Sequence, residues 1–383
     1  MTGPRMLEGL RVVDLTSVVF GPYATLTLAD LGAEVIKVEG PTGDQFRYAG
    51  TPVRTRGMGA CHMNLNKGKQ SVALDLKTAE GKAGLTKLLE TADVFIHNVR
   101  GKAVERLGFG YEAVRAIKPD VVYVHCVGFG SGGPYRDLQA YDDVIQAATG
   151  TVGLLPRADG NPRPRYLPSL IADKVAGLHA AYATLAAIVH RLRTGEGQFV
   201  EVPMFEAFSH FMMLEHLYGK TFVPQPYPAG YPRQIDAERQ PFPTADGWIS
   251  IVPYTDPSIG LLAELLGAPE LMQEERFADP LSRMQNMTAF YAEIARRTPA
   301  KTTEQWCRIF AEHQIPAMPV RDIEDLVDDP HLQAVDFFQH RQHPTEGEYL
   351  RTRAPVSFSV GLDEPGPAPT IGEHNEALLG KGA

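Results

Sequence analysis

Asp173 stands where a side chain could do covalent chemistry. It lies in YLPSLIADKVAGLHAAYATLAAIVHRLRTGEGQ, Tyr166 to Gln198, where a short extended lead-in gives way to a long helical pattern. The apolar positions Val175, Leu178, Tyr182, Leu185, Val189 and Leu192 recur there at steps of three and four, predicting an amphipathic helix that begins at Asp173. A carboxylate at a helix start has backbone N–H groups and the positive dipole end beside it, which should hold it ionised and oriented as a nucleophile. The same N–H groups could stabilise the oxyanion formed when it attacks a carbonyl. A plain N-cap uses the same residue at the same place, so this segment alone leaves both readings open.

Other stretches carry weaker chemical signals. Gly128-Phe129-Gly130-Ser131-Gly132-Gly133 has the spacing GxGxxG after a strand, but Pro134-Tyr135-Arg136-Asp137 prolongs the loop before a helix near Tyr141. A dinucleotide fingerprint opens directly into its helix, so these glycines read as a tight turn near a ligand, and NAD is not expected. Asn66-Lys67-Gly68-Lys69 is a basic turn without the Ser or Thr of a P-loop, either a phosphate contact or a solvated hairpin corner. Arg157, Arg163 and Arg165 could grip the distal carboxylate of a dicarboxylic acid, or simply lie in a solvated loop. Cys61, Cys126 and Cys307 lack metal-ligand spacing and read as reduced structural thiols, so no metal is expected.

The elements that must position these residues alternate. Leu10–Leu15, Glu34–Val38, Ser71–Leu74, Val94–His97, Val121–Cys126 and Phe199–Val202 read as strands, with helical patterns at Tyr23–Leu31, Thr78–Glu90, Tyr111–Ile117 and Met204–Tyr218 and a long loop at 40–62. This predicts an α/β fold with a mostly parallel sheet covered by helices. The chain has 383 residues, 44% of them hydrophobic, which suits two domains. The expected division is a large domain over 1–219 to which 345–383 returns, a proline-rich linker at 220–242, a small α/β domain at 243–325 and a return linker at 326–344. In the last third, Phe337–His340 and Val356–Phe358 read as strand-like, and the tail Gly372-Glu373-His374-Asn375 is expected to order against the first domain. A net charge of −9 argues against nucleic acid and anionic membranes as partners. No secretory leader is apparent and no run approaches the roughly 18 apolar residues of a membrane span, so a cytoplasmic location is expected.

Taken in order, LRVVDLT, GPYATLTLADLGAEVIKVE, NKGKQSVALDLKTAEGK, ADVFIHNVRGKAVERLGFGY, GFGSGGPY, IADKVAGLHAAYATLAA and TGEGQFVEVPM resemble the class III CoA-transferase family, which includes the alpha-methylacyl-CoA racemases. The likeness spans nearly the whole chain. It implies a Rossmann-like large domain, a smaller α/β domain and an interlocked homodimer, with acyl-CoA and a carboxylic acid as small-molecule partners. By resemblance Asp173 matches the catalytic aspartate, which forms a mixed anhydride and then an aspartyl-CoA thioester. Coenzyme A contacts carry over to Val19, Phe20, Leu74, Asp75, Leu76, Lys77, Asn98, Val99, Arg100, Arg106, Leu138, Gln139, Ala140 and Tyr141.

The chain departs from the formate and oxalate member, which has glutamine where Val19 stands and arginine where Gly40 stands. Lys37, Lys67 or Lys69 would supply the missing charge, or lie in solvent as surface lysines. That member's glycine-rich lid is also absent between Lys220 and Gly247, so Tyr227–Gln240, with Arg233 and Arg239, is expected to exclude water instead. The racemase branch places a histidine where AYDDVIQAATG has Tyr141, leaving Asp142 and Asp173 as its acid and base. A phenol with a pKa of about 10 is a poor base at neutral pH, which favours transfer. A non-catalytic CoA-binding protein, the third reading, would have no need of Asp173.

Overall fold

The computed structural model describes residues 6–50, 54–362 and 364–380. Short runs, rich in valine and isoleucine and buried on both sides in the central strands, form six strands: β1 (Arg11–Leu15), β2 (Glu34–Glu39), β3 (Gln70–Ala73), β4 (Val94–His97), β5 (Val122–Val127) and the more exposed edge strand β6 (Gln198–Pro203). They make one sheet in the order β3-β2-β1-β4-β5-β6, and every neighbouring pair is parallel. Val12, Val35, Ile96 and Val124 face one layer, which includes the crossover helix Phe20–Asp30 and the long helix Ile171–Thr194. Val13, Ile36, Phe95 and Tyr123 face the other, which includes the helix Ala79–Leu89. The strands expected for this sheet and the helix at Tyr111–Ile117 are present, whereas the stretch read as loop at 40–62 contains the helical turn Gln45–Tyr48 and opens the helix Ala60–Leu65.

The long helix buries a different face from the one its large side chains predict. Ala172, Val175, Ala176, Gly177, Ala180, Ala181, Thr184, Ala187 and Ile188 are buried, while Leu178 is 49%, Tyr182 58% and Leu192 71% exposed. Small residues win because the long helix crosses the crossover helix at close range: a Cβ on Gly177 would come within 2.9 Å of the Phe20 carbonyl oxygen. The same alanines give this helix a mean hydropathy of 1.2, enough by length and composition to cross a membrane, although charged residues at both ends and no unbroken apolar run set it apart from a span. Its alanine face is committed to the core instead.

The chain divides into two compact units, the first comprising Met1–Thr151, Tyr166–Leu214 and Pro330–Ala383 and the second Val152–Arg165 and Glu215–Asp329. In the second, β7 (Phe242–Pro243), β8 (Trp248–Ile251) and β9 (Ala317–Pro319) form an antiparallel sheet over a core that includes Ile249, Phe290, Trp306 and Phe310. Within the first unit, β10 (Phe338–His343) pairs with β11 (Gly347–Thr352), and the strand expected at Val356–Phe358 does not form. The tail closes the β3 edge: the Asn375 side chain accepts the Ala73 N–H at 2.8 Å and donates to its carbonyl at 3.1 Å.

Below β2 lies a buried ion pair. Arg47 donates to both oxygens of Glu39 and to the carbonyls of Gly57 and Pro369, each at 3.1 Å. Burial alone would raise the Glu39 pKa, but the Arg47 charge and hydrogen bonds bring it down to about 2. Arg47→Met should strand that carboxylate and lower the unfolding free energy by about 3 kcal/mol or more, read from urea denaturation at pH 7. A loss under about 1 kcal/mol would show that the pair does not hold this region.

Candidate active site

At the carboxyl end of the sheet the chain leaves β1 and β4 towards opposite sides, so the loops that follow them part and open a crevice, the usual ligand position in such folds. The Asn98 side chain closes its floor, accepting the Ser17 N–H at 3.0 Å and donating to the Ser17 carbonyl at 2.9 Å. Next to it, Val18 sits at φ +70°, a conformation that strains a β-branched residue by about 1–3 kcal/mol. Buried charge holds it there. Both Asp44 oxygens accept the Val18 N–H, at 3.2 and 3.0 Å, and Lys37 bridges Asp44 at 3.0 Å to the Thr16 carbonyl at 2.9 Å. Asp14 takes the Thr16 N–H at 2.9 Å and Thr25 at 2.6 Å, with Lys69 at 3.4 Å.

This turn leads into the crossover helix, and the Phe20 N–H at its start favours the ionised form of the Asp173 carboxylate. Asp173 is not the cap of its own helix, which starts after Leu170; it lies in the first turn. Its N–H donates to Asp142 at 3.0 Å, and Asp142 also accepts from Gln146 at 2.6 Å. Gln146 in turn takes the Leu167 N–H at 2.9 Å and donates to the Ser169 carbonyl at 3.1 Å, bracing the lead-in to Asp173. Burial and the neighbouring Asp142 carboxylate push the Asp173 pKa up to about 7, against the Phe20 N–H. The expectation of an ionised carboxylate is therefore corrected: burial and Asp142 raise its pKa towards neutrality and favour the protonated form.

Asp173 lines a cavity of about 710 Å³, within the range of cofactor sites. Of the residues anticipated from sequence, Phe20, Asn98, Val99, Arg100, Arg106 and Leu138 through Tyr141 share that lining, whereas Val19 and Leu74 through Lys77 do not. Val19 is buried in a small apolar cluster, Leu74 is in the core under the sheet, and Asp75 and Lys77 are exposed. Sequence reading missed His125, Lys102, Arg136 and Glu201 in the lining. The two cations lie close in sequence to Arg106 and Leu138 and were legible as basic residues, but only the fold brings them to one rim. His125 is carried on β5, its Nε2 at 3.0 Å from the Val99 carbonyl and its ring stacked on buried His97. Among the described residues no cluster of His, Cys, Asp or Glu could hold a metal.

Several candidate cations are committed elsewhere. Lys37, Lys67 and Lys69 are neither solvated nor in the cavity lining: all three are buried, paired with Asp44, Asp30 and Asp14. Arg157 donates to the Ala229 carbonyl at 3.1 Å and Arg165 pairs with Asp159 at 2.5 Å, both within the second unit, and neither they nor Arg163 line the Asp173 cavity. The glycine-rich stretch is a packed turn, since a Cβ on Gly128 would meet the Ala140 Cβ at 2.3 Å.

A family model described as CoA-transferase family III matches residues 7–375. The chain is 30% identical to a succinate–glutarate CoA-transferase of Agrobacterium fabrum, covering 97% of this chain and 94% of that one. It is 32% identical to a succinyl-CoA:mesaconate CoA-transferase of Haloarcula marismortui, covering 97% and 95%. The crystal structure of a CAIB/BAIF family protein from Brucella suis superposes with a TM-score of 0.84 at 31% identity, covering 98% of this chain and 99% of that one.

The raised Asp173 pKa makes a prediction about stability. Between about pH 4 and 7 the folded chain keeps a proton on Asp173 that the unfolded chain releases, so stability falls as pH rises through that window. Asp173→Asn should flatten this slope and raise stability at pH 8 by up to about 4 kcal/mol. Urea unfolding at pH 5 and pH 8 compares the two; equal slopes would mean that the carboxyl titrates normally.

Proposed function

The chain belongs to CoA-transferase family III, and on that premise we propose that it moves CoA between an acyl-CoA thioester and a carboxylic acid with Asp173 as the covalent nucleophile. The observation that carries this reading is a buried carboxylate in the lining of a CoA-sized cavity, its backbone N–H fixed by Asp142 and its charged form favoured by the Phe20 N–H. An Asp173 oxygen attacks the thioester carbonyl, and the tetrahedral oxyanion collapses to a mixed anhydride as CoA thiolate leaves. The thiolate then attacks the aspartyl carbonyl and releases the first acid as its carboxylate. The acceptor carboxylate attacks the aspartyl-CoA thioester, and the returning thiolate takes the new acyl group and restores Asp173. The Phe20 N–H, at a helix N-terminus, is the donor for oxyanions formed at the aspartyl carbonyl.

Arg100 and Arg106, with Lys102 and Arg136 sharing Asp137 as their partner, leave the rim with a positive excess suited to the CoA phosphates, with Asn98 and Leu138 through Tyr141 beside them. A carboxylate taken out of water is a stronger nucleophile than a hydrated one, which gives its burial a role. Proton abstraction beside the thioester carbonyl is less well supported, because half-exposed Tyr141 stands where a histidine would be needed, and the relatives described above are named as transferases. Leu178, Tyr182, Val189 and Leu192, spaced by four, seven and three, form an exposed apolar stripe on the long helix that a second copy would cover in a homodimer. Three free cysteines agree with a reducing, cytoplasmic setting.

Asp173→Ala should abolish exchange of labelled CoA into acyl-CoA while leaving CoA binding within about threefold, since no CoA-holding group is removed. Retained turnover per folded molecule would place the nucleophile elsewhere. The double change Leu178→Glu, Leu192→Glu should shift the assembly towards monomer in light scattering. A monomeric parent protein at micromolar concentration would remove the basis for the dimer.

A further inference from the structure

The second unit holds a smaller cavity, about 140 Å³, that the proposed reaction does not use. Its lining includes Arg233, Arg239, Ser250 and Tyr291, with Phe242 and Ile251 as apolar surface. Tyr291 is only 5% exposed, yet its hydroxyl has no hydrogen-bond partner among the described residues, and neither does the buried Nε of Arg233. The hydroxyl sits beside the guanidinium without completing a bond to it. A buried polar atom left unpaired costs about 1–3 kcal/mol, so two of them on one cavity wall call for a partner.

The charge balance points the same way. Arg233 packs over the Tyr254 ring and Arg239 donates to the Gln234 side-chain oxygen at 2.9 Å, a neutral acceptor. Neither guanidinium has a carboxylate within salt-bridge distance among the described residues, although other arginines of this unit do. Two uncompensated forks, a hydroxyl donor and apolar surface define an anion site that also takes a few methylenes. Size narrows the class: 140 Å³ is about five water volumes at roughly 30 Å³ each, far below what CoA requires. A carboxylate's two oxygens match the parallel N–H pair of a guanidinium.

We propose that this cavity binds the carboxylate of a short-chain organic acid, held by Arg233 and Arg239 with the Tyr291 hydroxyl as a third donor. The site is built wholly within the second unit, and its occupancy does not depend on acyl transfer at Asp173. It gives the loop expected to exclude water a second task, the recognition of a small acid.

The test is isothermal titration of the full-length protein with succinate, and separately with inorganic phosphate. Saturable succinate binding is expected, weakened about tenfold or more by Arg233→Gln and independently by Arg239→Gln. Asp173→Ala should leave it within about twofold. Should Arg233→Gln fail to fold by circular dichroism, Arg239→Gln decides alone. No saturable binding to the parent protein, or binding that the arginine variants leave within about twofold, overturns the proposal. Phosphate binding as tight as succinate overturns the carboxylate assignment. Because the measurement requires no turnover, a chain that exchanges CoA but binds no succinate here would lose this inference and keep the transferase reading.

Discussion

The candidate site depends on charge buried beneath one turn. Asp44 and Lys37, both almost fully buried, hold the Val18 N–H and the Thr16 carbonyl and keep a β-branched residue in the left-handed region. Without them Val18 would relax toward ordinary extended backbone, and the Phe20 N–H would no longer meet Asp173. Burying ions is expensive unless each is paired and its remaining bonds are satisfied. Here Asp14, Asp44, Lys37 and Lys69 satisfy one another together with Thr16, Thr25 and backbone carbonyls. Burial, helped by the neighbouring Lys37 charge, brings the Lys69 pKa down, and Asp14 opposes the fall, leaving it at about 8.

Sheet order supplies the other half of the arrangement. Because β1 and β4 are neighbours whose connections diverge, the turn after β1 and the Asn98 loop after β4 face one crevice. The long helix reaches the same place through close packing at Gly177, which lets its first turn lie against the Phe20 end of the crossover helix. A bulky residue at that crossing would separate the carboxylate from its N–H donor. The small buried face of the long helix is thus part of the site's geometry as well as of the core.

Much of this was legible in the sequence. The sheet could be read because runs such as RVVDL and VFIH are too short and too β-branched to be helices, and Asp173 could be singled out because a carboxylate at a helix start is a chemical signal. What sequence could not supply were pairings distant along the chain. Lys37, Lys67 and Lys69 look like surface lysines until Asp44, Asp30 and Asp14 are folded against them. The pattern of large apolar residues on the long helix pointed at the wrong face because alanine and glycine carry little weight in such a pattern, yet they allow the closest approach. The Asp173 pKa was misjudged for a related reason: the favourable helix end is visible in sequence, whereas burial and the approach of Asp142 are tertiary.

The account stands or falls on covalent use of Asp173. The most direct measurement is to incubate the protein with an acyl-CoA that it turns over, quench with hydroxylamine and map the modified peptide by mass spectrometry. An anhydride or thioester at Asp173 would be captured as a hydroxamate on that residue, only when acyl-CoA is present, and absent in Asp173→Asn. Turnover with the Asp173 peptide unmodified, or a hydroxamate on another carboxylate, would contradict it.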